Sequence, residues 1–283
     1  MSESKTIDLH VHTKFSDGTE TPAATVLRAV SRGLAAIAIT DHDTVAGVQE
    51  GIDQGLNSGL EVISGVELSA VINGKSIHIL GYGVKTESLR LLESLEKIQA
   101  ARKRRNREIM ERLRGMDIIV NMEDLQNCSQ GGQAGRPHFA RILQQKHIVG
   151  STDEAFRLYL GTNGAAYVPR EVLTAEEAIT IIQKAGGVAV LAHPFTIDID
   201  QNGLTQLIEK LRDCGLAGLE VFYPSHGQEA QAELVRLSKR FNLIITGGSD
   251  YHGKAKPNIR MGRVSGNQAI PYRILSDLKQ MLR

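Results

Sequence analysis

The sequence predicts an α/β protein in which parallel strands form a barrel or sheet, with helices inserted in the middle of the chain. Strand and helix patterns alternate over residues 1–86 and again over residues 167–283. Residues 87–166 have helical patterns and no convincing strand. Most candidate functional side chains follow or end a predicted strand, where parallel α/β folds gather their ligands. We therefore expect a main domain formed by residues 1–86 and 167–283, and a helical insertion domain over residues 87–166 that lies over one end of it.

The first part of the chain begins with a strand–helix–strand unit. Thr21 supplies a helix N-cap, Pro22 occupies the first helical turn, and Gly33 ends that helix. An Asn73-Gly74 turn connects two later strands. The predicted elements of this part are strands over residues 7–11, 35–40, 61–68 and 77–82, and helices over residues 22–32 and 45–57.

The rest of the chain is first helical and then alternates again. Thr174 and Glu177 form a capping box, which begins a helix that ends at Gly186-Gly187. The helices predicted in the middle segment span residues 89–114, 137–146 and 152–160. The elements predicted after the capping box are strands over residues 188–192, 218–222 and 243–246, and helices over residues 204–214 and 229–241.

Composition and charge exclude several classes of partner. The chain of 283 residues is 41% hydrophobic and has a net charge of +1, so it has no overall attraction to nucleic acid or to a membrane surface. Its N-terminus is polar, and no run reaches the roughly 18 apolar residues of a membrane span. Cys128 and Cys214 fit neither a metal motif nor a disulfide framework, which predicts two free thiols in the cytoplasm. We expect no membrane and no DNA duplex as partner, and nothing in the sequence indicates an oligomeric state.

A set of histidines and carboxylates predicts a catalytic metal site. Alternation in the first strand places Ile7, Leu9 and Val11 on one face, and His10 and His12 together on the other. A single histidine is more often a core or surface residue, but a His-x-His pair at a strand end can bind one ion. Imidazoles and carboxylates without thiolates are ligands of catalytic zinc, manganese or iron. The candidate metal ligands are His10, His12, Asp17, His42, Glu67, His78, His193, Asp250 and His252.

His78 and the two aspartates beside His42 depart from the general pattern of this set. His78 is an exception to the strand-end rule, because it lies near the start of its predicted strand. Asp41 and Asp43 flank His42, and support of a ligand or helix capping is favoured for them over direct metal binding.

The order and spacing of these motifs resemble the PHP (polymerase and histidinol phosphatase) superfamily over nearly the whole chain. The motifs are His10-Val11-His12, Ser16-Asp17-Gly18, Thr40-Asp41-His42-Asp43, Gly65-Val66-Glu67, His78, Ala192-His193-Pro194 and Gly248-Ser249-Asp250-Tyr251-His252. The chain is similar to the small bacterial phosphoesterases with a helical insertion, which include a nucleoside 3',5'-bisphosphate phosphatase and a 5'-3' exoribonuclease. This resemblance implies a distorted (β/α)7 barrel with a site for three metal ions.

The resemblance also implies how the ligands divide among three divalent ions. The first ion takes His10, His12, Glu67 and Asp250, with Glu67 bridging to another ion. The second takes Asp17, His42 and His252, and the third takes Glu67, His78 and His193. Asp17 is histidine in some branches of the superfamily, and its harder carboxylate favours manganese or magnesium. Manganese is the expected metal, with zinc, iron or magnesium as alternatives.

Charge predicts what such a site would bind. Three divalent ions and the carboxylates of Asp17, Glu67 and Asp250 leave a charge of about +3, which attracts a multiply charged anion. A hydroxide that bridges two ions can attack phosphorus in line while the ions neutralise the other oxygens. We therefore expect hydrolysis of phosphate esters, with Asp17, His42 and His226 as candidate catalytic residues. Amide hydrolysis at a single metal is the chemical competitor, but no lysine is an obvious candidate for the carbamylated ligand it uses.

The substrate contacts are predicted from three residues. Arg136 could bind a phosphate with two hydrogen bonds, and His138 belongs to the same Arg-Pro-His-Phe-Ala segment, which resembles one in the bisphosphate-acting members. His226 follows a strand and could donate a proton to a leaving oxygen or bind phosphate. An ordinary surface arginine and a plain loop histidine are equally favoured alternatives.

The basic run over residues 102–107 has two interpretations. Successive helical residues are turned about 100° apart, so its charges spread around the helix, and a solvated helix is favoured over a track for RNA. Aromatic residues make up 4% of the chain and tryptophan is absent, which leaves few stacking platforms for single-stranded nucleic acid.

The sequence therefore predicts a metal-dependent phosphoesterase that acts on small nucleotides, chiefly nucleoside 3',5'-bisphosphates, or on the 5' ends of short RNA. A histidinol-phosphate phosphatase is the main alternative, since it needs no second phosphate site. A non-catalytic metal-binding PHP domain is another, although no ligand is missing. A proofreading module of a polymerase is a third, but no polymerase segment accompanies it.

Overall fold

The computed structural model describes residues 5–129, 132–169 and 172–282, and in these residues ten strands form one curled sheet. The strands are β1 (Thr6–Val11), β2 (Leu34–Ile39), β3 (Glu61–Ile72), β4 (Lys75–Tyr82), β5 (Leu173–Thr174), β6 (Val188–Leu191), β7 (Gly218–Phe222), β8 (Ile244–Gly247), β9 (Arg263–Val264) and β10 (Gln268–Pro271). Their order across the sheet is β8-β7-β6-β4-β3-β2-β1-β10-β9, and β5 pairs with β3.

The described α-helices are α1 (Pro22–Ser31), α2 (Val48–Ser58), α3 (Leu89–Arg114), α4 (Met122–Ser129), α5 (Arg136–Gln145), α6 (Thr152–Ala155), α7 (Ala175–Lys184), α8 (Gln201–Asp213), α9 (Gln228–Phe241) and α10 (Arg273–Met281). A π-helical turn, Phe156–Leu160, continues α6. Helix α3 has the predicted bounds, whereas α4, α10 and the strands β5, β9 and β10 were not predicted from the sequence. No described helix is both long and apolar enough to cross a membrane.

The sheet is mixed, so the expectation of parallel strands is wrong at β4 and at β9 and β10, which also pair antiparallel. Neighbouring strands are parallel from β1 to β3 and from β6 to β8. Strand β4 lies between these two groups and is antiparallel to both neighbours. Asn73 and Gly74 have φ angles of 49° and 74° and form a two-residue hairpin turn, which can join only antiparallel strands.

The curl of the sheet brings the segment after β8 next to β1. The backbone N–H of His12 donates to the carbonyl of Tyr251 over 2.9 Å, and the N–H of Tyr251 donates to the carbonyl of His10 over 3.3 Å. The polar residues that follow β8 therefore lie beside the two histidines of β1.

Strand β1 departs from strict alternation. Its pairing with β2 shifts by one residue between Asp8 and Val11, because Asp8 pairs with Ile37 and Val11 pairs with Ile39. An extra residue in one strand reverses the faces that follow it. Val11 consequently packs in the main core, on the other side from Ile7 and Leu9, and the expectation that all three share one face is wrong.

Three clusters of buried apolar residues hold these elements. The largest lies between the sheet and helices α1, α2, α7, α8 and α9. A smaller cluster fills the inside of the curl, where α10 contributes Ile274, Leu275 and Leu278. A third cluster lies within residues 109–168 and includes Phe139, Leu143 and Leu160. The helices between β4 and β5 thus have apolar packing of their own.

Candidate metal centre

The carboxylate of Glu67 lies at the centre of the predicted ligands. Glu67 is buried in the middle of β3, beyond the end of the neighbouring strand β2. Its Oε2 atom lies 3.0, 3.2 and 3.3 Å from ring nitrogens of His42, His12 and His10, and its Oε1 atom lies 2.9 and 3.1 Å from ring nitrogens of His78 and His193. One carboxylate therefore contacts five of the predicted histidines.

The remaining predicted ligands complete the same cluster. Asp17 Oδ1 lies 3.0 Å from His252 Nε2, and Asp17 Oδ2 lies 4.0 Å from His42 Nε2. Asp250 Oδ1 lies 3.3 Å from both His12 Nε2 and His252 Nδ1. The structure thus brings all nine predicted ligands together at one edge of the sheet.

The antiparallel direction of β4 explains how His78 reaches this edge. His78 pairs with Ser69, two residues beyond Glu67 on β3, so the start of β4 lies at the carboxyl end of β3. The backbone N–H of Ala192 donates to the carbonyl of His78 over 3.0 Å and brings His193 alongside. Although His78 lies near the start of its own strand, it therefore lies at the same edge of the sheet as the other ligands.

Three histidines are fixed by a contact of their Nδ1 atom. His10 Nδ1 lies 2.9 Å from Glu220 Oε1, and His252 Nδ1 lies 2.8 Å from the carbonyl of Asp250. His193 Nδ1 lies 2.9 Å from the Thr196 hydroxyl, which itself donates to the His193 carbonyl. Each contact favours the tautomer with the proton on Nδ1, which leaves the Nε2 lone pair for an ion.

Glu220 is a functional residue that sequence reasoning missed. It is fully buried on β7, where its Oε1 accepts from His10 and its Oε2 accepts from the backbone N–H of His193 over 2.8 Å. A carboxylate in the middle of an apolar strand is costly to bury without such partners. The charged residue within the buried strand was the signal that could have identified it.

Asp41 and Asp43 support the site through hydrogen bonds, as the sequence predicts. Asp41 accepts from the N–H and the hydroxyl of Thr13 over 2.8 and 2.6 Å. Asp43 accepts from the N–H of Ser69 over 2.9 Å and contacts the guanidinium of Arg102. Both carboxylates are fully buried and hold the segments on either side of the cluster.

The charges of the cluster favour bound cations. Burial alone would raise the pKa of Glu67, but His42 and His78 outweigh it and hold that pKa well below its usual range. Burial lowers the pKa of His12, but Asp250 and Glu67 outweigh it and raise that pKa to about 9. Burial lowers the pKa of His78 to about 4, despite the opposing effect of Glu67. The carboxylates are therefore ionised, and protons on some histidines balance them until metal ions take their place.

The donor atoms fit divalent metal ions. Ligand atoms lie within 4.8 Å of one another in three groups of the described residues, which are His12, Asp17, His42 and His252; His10, His12 and Glu67; and His42, Glu67 and His78. His42 Nδ1 is buried and makes no hydrogen bond in the part of the chain that is described, although it lies 3.0 Å from Glu67. A metal ion would satisfy this nitrogen.

A cavity of about 490 Å³ opens above the cluster. The predicted ligands form its floor. Residues of α5, α6 and the π-helical turn, including Pro137, Ala140 and Phe156, form one of its walls. Lys256 and Tyr223 also line it, and they donate to Asp250 Oδ2 over 2.6 and 2.8 Å. The sequence did not indicate these two residues, because they come from loops whose positions depend on distant strands.

Arginines of α3 and α5 line a second, smaller cavity beside the cluster. This cavity of about 130 Å³ adjoins Asp17, His42 and His78, and it is lined by Arg102, Arg105 and Arg136. We call it the arginine pocket. Arg136 is held there by its Nη1, which donates to the carbonyl of Leu160 over 3.1 Å, and by the ring of Phe156.

The other predicted substrate residues lie away from these cavities. His138 is buried, and its Nδ1 accepts from the N–H of Gly135 over 3.1 Å, so it caps α5 instead of facing the cluster. His226 is fully buried against Tyr223, and its Nδ1 contacts the carbonyl of Val221 over 2.9 Å. Both side chains pack inside the protein, and neither is among the described residues that line the two cavities, so their contact with substrate stays a prediction.

The curled sheet and the histidine–carboxylate cluster define a metal-dependent hydrolase of the α/β class. The family model of the PHP domain matches residues 8–214, and the chain belongs to this family. It is accordingly a phosphoric ester hydrolase, as predicted.

Named relatives agree with this assignment. The 5'-3' exoribonuclease Rnm of Escherichia coli is 35% identical over 258 residues, which cover 90% of this chain and 88% of the exoribonuclease. The 3',5'-nucleoside bisphosphate phosphatase of Chromobacterium violaceum is 32% identical over 247 residues, which cover 87% of each protein. A solved structure from Bifidobacterium adolescentis, assigned as a metal-dependent phosphoesterase, has a TM-score of 0.87 and 29% identity, and the match covers 99% of this chain and 98% of that one.

Proposed function

We propose that the protein hydrolyses a phosphate ester in nucleotides that carry a second phosphate, namely nucleoside 3',5'-bisphosphates and the 5' ends of short RNA. The observation that carries this proposal is the arginine pocket, which shares Asp17, His42 and His78 with the cavity above the metal centre. Two adjacent regions thus suit phosphate groups, one beside metal ligands and one beside guanidinium groups. The names of the two curated relatives support a substrate of this kind.

The size of the main cavity suits a mononucleotide or the end of a chain. Cavities for small ligands usually measure about 300–1,000 Å³, and this one measures about 490 Å³. A phosphate that reacts at the cluster would place the nucleoside in this cavity and the second phosphate in the arginine pocket. Arg102, Arg105 and Arg136 would then hold that second phosphate.

Three divalent ions, with manganese preferred, are the metal content that we propose. His10, His12, Glu67 and Asp250 would hold the first, Asp17, His42 and His252 the second, and Glu67, His78 and His193 the third. Bound there, the ions would supply a hydroxide nucleophile at neutral pH and neutralise phosphoryl oxygens. The mixture of imidazole and carboxylate donors supports manganese over metals that prefer sulfur.

The chain's own residues orient the reacting groups. Asp17 and His42 line both cavities and are the residues that we expect to contact the reacting phosphate. Lys256 and Tyr223 hold one oxygen of Asp250, so its other oxygen faces His12. His226 packs against Tyr223, and we propose that it acts by positioning this wall of the cavity.

We further propose a distorted (β/α)7 barrel over residues 1–86 and 167–283, with residues 87–166 as a cap. The curled sheet and the separate apolar cluster of residues 109–168 support this division. Cytoplasmic location is part of the same proposal, and the free thiols of Cys128 and Cys214 support it.

A comparison of substrates tests the proposal and its main alternative. The manganese-loaded protein is given adenosine 3',5'-bisphosphate, a 5'-phosphorylated RNA and histidinol phosphate, and the release of phosphate or nucleotide is followed. We expect turnover of the nucleotide substrates and little of histidinol phosphate. A preference for histidinol phosphate would contradict the substrate assignment while leaving the metal centre intact.

An arginine variant tests the second phosphate site within the same assay. Arg136→Ala should lower kcat/KM for the bisphosphate roughly 10- to 100-fold, mainly through KM, because a hydrogen bond to a charged group contributes about 1.5–3 kcal/mol. The matched controls are 3'-AMP and 5'-AMP, which each carry a single phosphate, and the one that is turned over should lose much less. Equal losses on the bisphosphate and on that monophosphate would show that Arg136 does not bind the second phosphate.

A further inference from the structure

A third cavity, of about 480 Å³, lies on the helical side of the molecule and plays no part in the function described above. Its walls come from α3, α4 and residues 132–134. The charged residues among its described lining are Arg102, Lys103 and Arg107, and none of that lining is acidic. We call this cavity the basic groove.

The two outer charges of the groove lie on one face of α3. Lys103 and Arg107 are four residues apart, which stacks them on the same side of a helix. Both are exposed, and in the part of the chain that the structure describes neither is within ion-pairing distance of a carboxylate. Arg105 is turned the other way and lines the arginine pocket, and Arg102 lies between the two cavities and lines both. The basic run therefore divides into an inner and an outer part.

The groove adjoins the arginine pocket through a single side chain. Arg102 lines both cavities, while its guanidinium contacts Asp43 at the edge of the metal centre. A polymer that enters the metal centre by one end could therefore continue past Arg102 into the groove.

The remaining lining suits nucleotides without selecting a sequence. The amides of Gln126, Asn127 and Gln133 offer both donors and acceptors, and Met122 and Leu125 offer apolar surface. No aromatic ring is among the described lining residues, so binding there would depend on charge.

We propose that the basic groove binds the phosphodiester chain of a single-stranded RNA behind its 5'-terminal nucleotide. This inference rests on the proposed function, and it adds a substrate preference. The groove would assist the turnover of oligonucleotides and would not be used by mononucleotides. Lys103 and Arg107 would each neutralise one backbone phosphate, so turnover of RNA should depend on salt more steeply than turnover of a bisphosphate.

The test uses the manganese-loaded protein with the double variant Lys103→Ala/Arg107→Ala. The substrates are a 5'-phosphorylated pentaribonucleotide and adenosine 3',5'-bisphosphate, each measured from 50 to 200 mM salt. The matched control is Lys239→Ala/Arg240→Ala, which removes the same charge from two exposed residues of α9. For the pentanucleotide, two lost phosphate contacts should reduce the slope of log kcat/KM against log salt by about 1.4, which is a roughly sevenfold difference over this range.

The inference is supported if the groove variant loses pentanucleotide turnover and salt dependence but keeps bisphosphate turnover, while the control keeps both. It is overturned if the groove variant has the same kcat/KM and salt dependence for the pentanucleotide as the wild type. It is also overturned if the variant loses activity equally on both substrates. Wild-type turnover of the bisphosphate but not of RNA overturns this inference and leaves the proposed function standing. Turnover of neither substrate by the wild type would overturn both.

Discussion

Replacement of Glu220 by glutamine should weaken metal binding although Glu220 itself is not a ligand. The glutamate accepts two hydrogen bonds, from His10 Nδ1 to one oxygen and from the backbone N–H of His193 to the other. Glutamine has one acceptor and one donor at these positions, so one of the two buried N–H groups must face an NH₂ group. An unsatisfied buried donor costs about 1–3 kcal/mol, and loss of such a supporting carboxylate costs roughly 10- to 100-fold in metal affinity.

The affinity of Glu220→Gln for Mn²⁺ is measured by competition with a chelator, together with turnover at saturating metal. The matched control is Glu61→Gln, which makes the same change at the first residue of β3, where the carboxylate accepts from Tyr272 and pairs with Lys279. We expect weaker binding by the Glu220 variant, partial recovery of turnover at high metal, and no change in the control. Wild-type affinity in Glu220→Gln would refute the reasoning that this carboxylate orients His10.

Three further predictions follow from the same structure. His12→Ala or Asp250→Ala should abolish hydrolysis together with metal content, measured by elemental analysis, and retained turnover would contradict the metal mechanism. Mn²⁺ affinity should rise between pH 6.5 and 8.5 in calorimetric titrations, because a pKa of about 9 keeps His12 protonated at the lower pH and an imidazolium cannot bind metal; a constant affinity would argue against this balance. Phe139→Ala should lower the free energy of unfolding by about 3–5 kcal/mol in urea, because it empties a fully buried site in the apolar cluster of residues 109–168, and a loss below 1 kcal/mol would mean that this cluster is loosely packed.

The sequence predicts local structure well where a periodic pattern and its end signals agree. The long helix α3 has the predicted bounds, and the Asn73-Gly74 turn forms as expected. Strands β9 and β10 were missed because they are two and four residues long, and β10 exists through pairing with β1 at the other end of the chain. A pattern of two to four residues carries no periodicity that could reveal such a partner.

In the candidate site, too, the features visible in local sequence were predicted and those that depend on distant partners were not. The predicted metal ligands come together because their residue types and positions at strand ends are both visible in the sequence. Glu220 and Lys256 were missed because their importance depends on which distant residue they meet, His10 in one case and Asp250 in the other. His138 and His226 were predicted to face substrate, but residue type alone does not determine whether a histidine points into a cavity or into the core.

Metal dependence is tested most directly by stripping the protein with a chelator and titrating Mn²⁺ back while phosphate release from adenosine 3',5'-bisphosphate is followed. We expect the stripped protein to be inactive, and turnover to return in proportion to bound metal and to reach its maximum at three ions per chain. Full turnover by protein shown to be free of metal would contradict it.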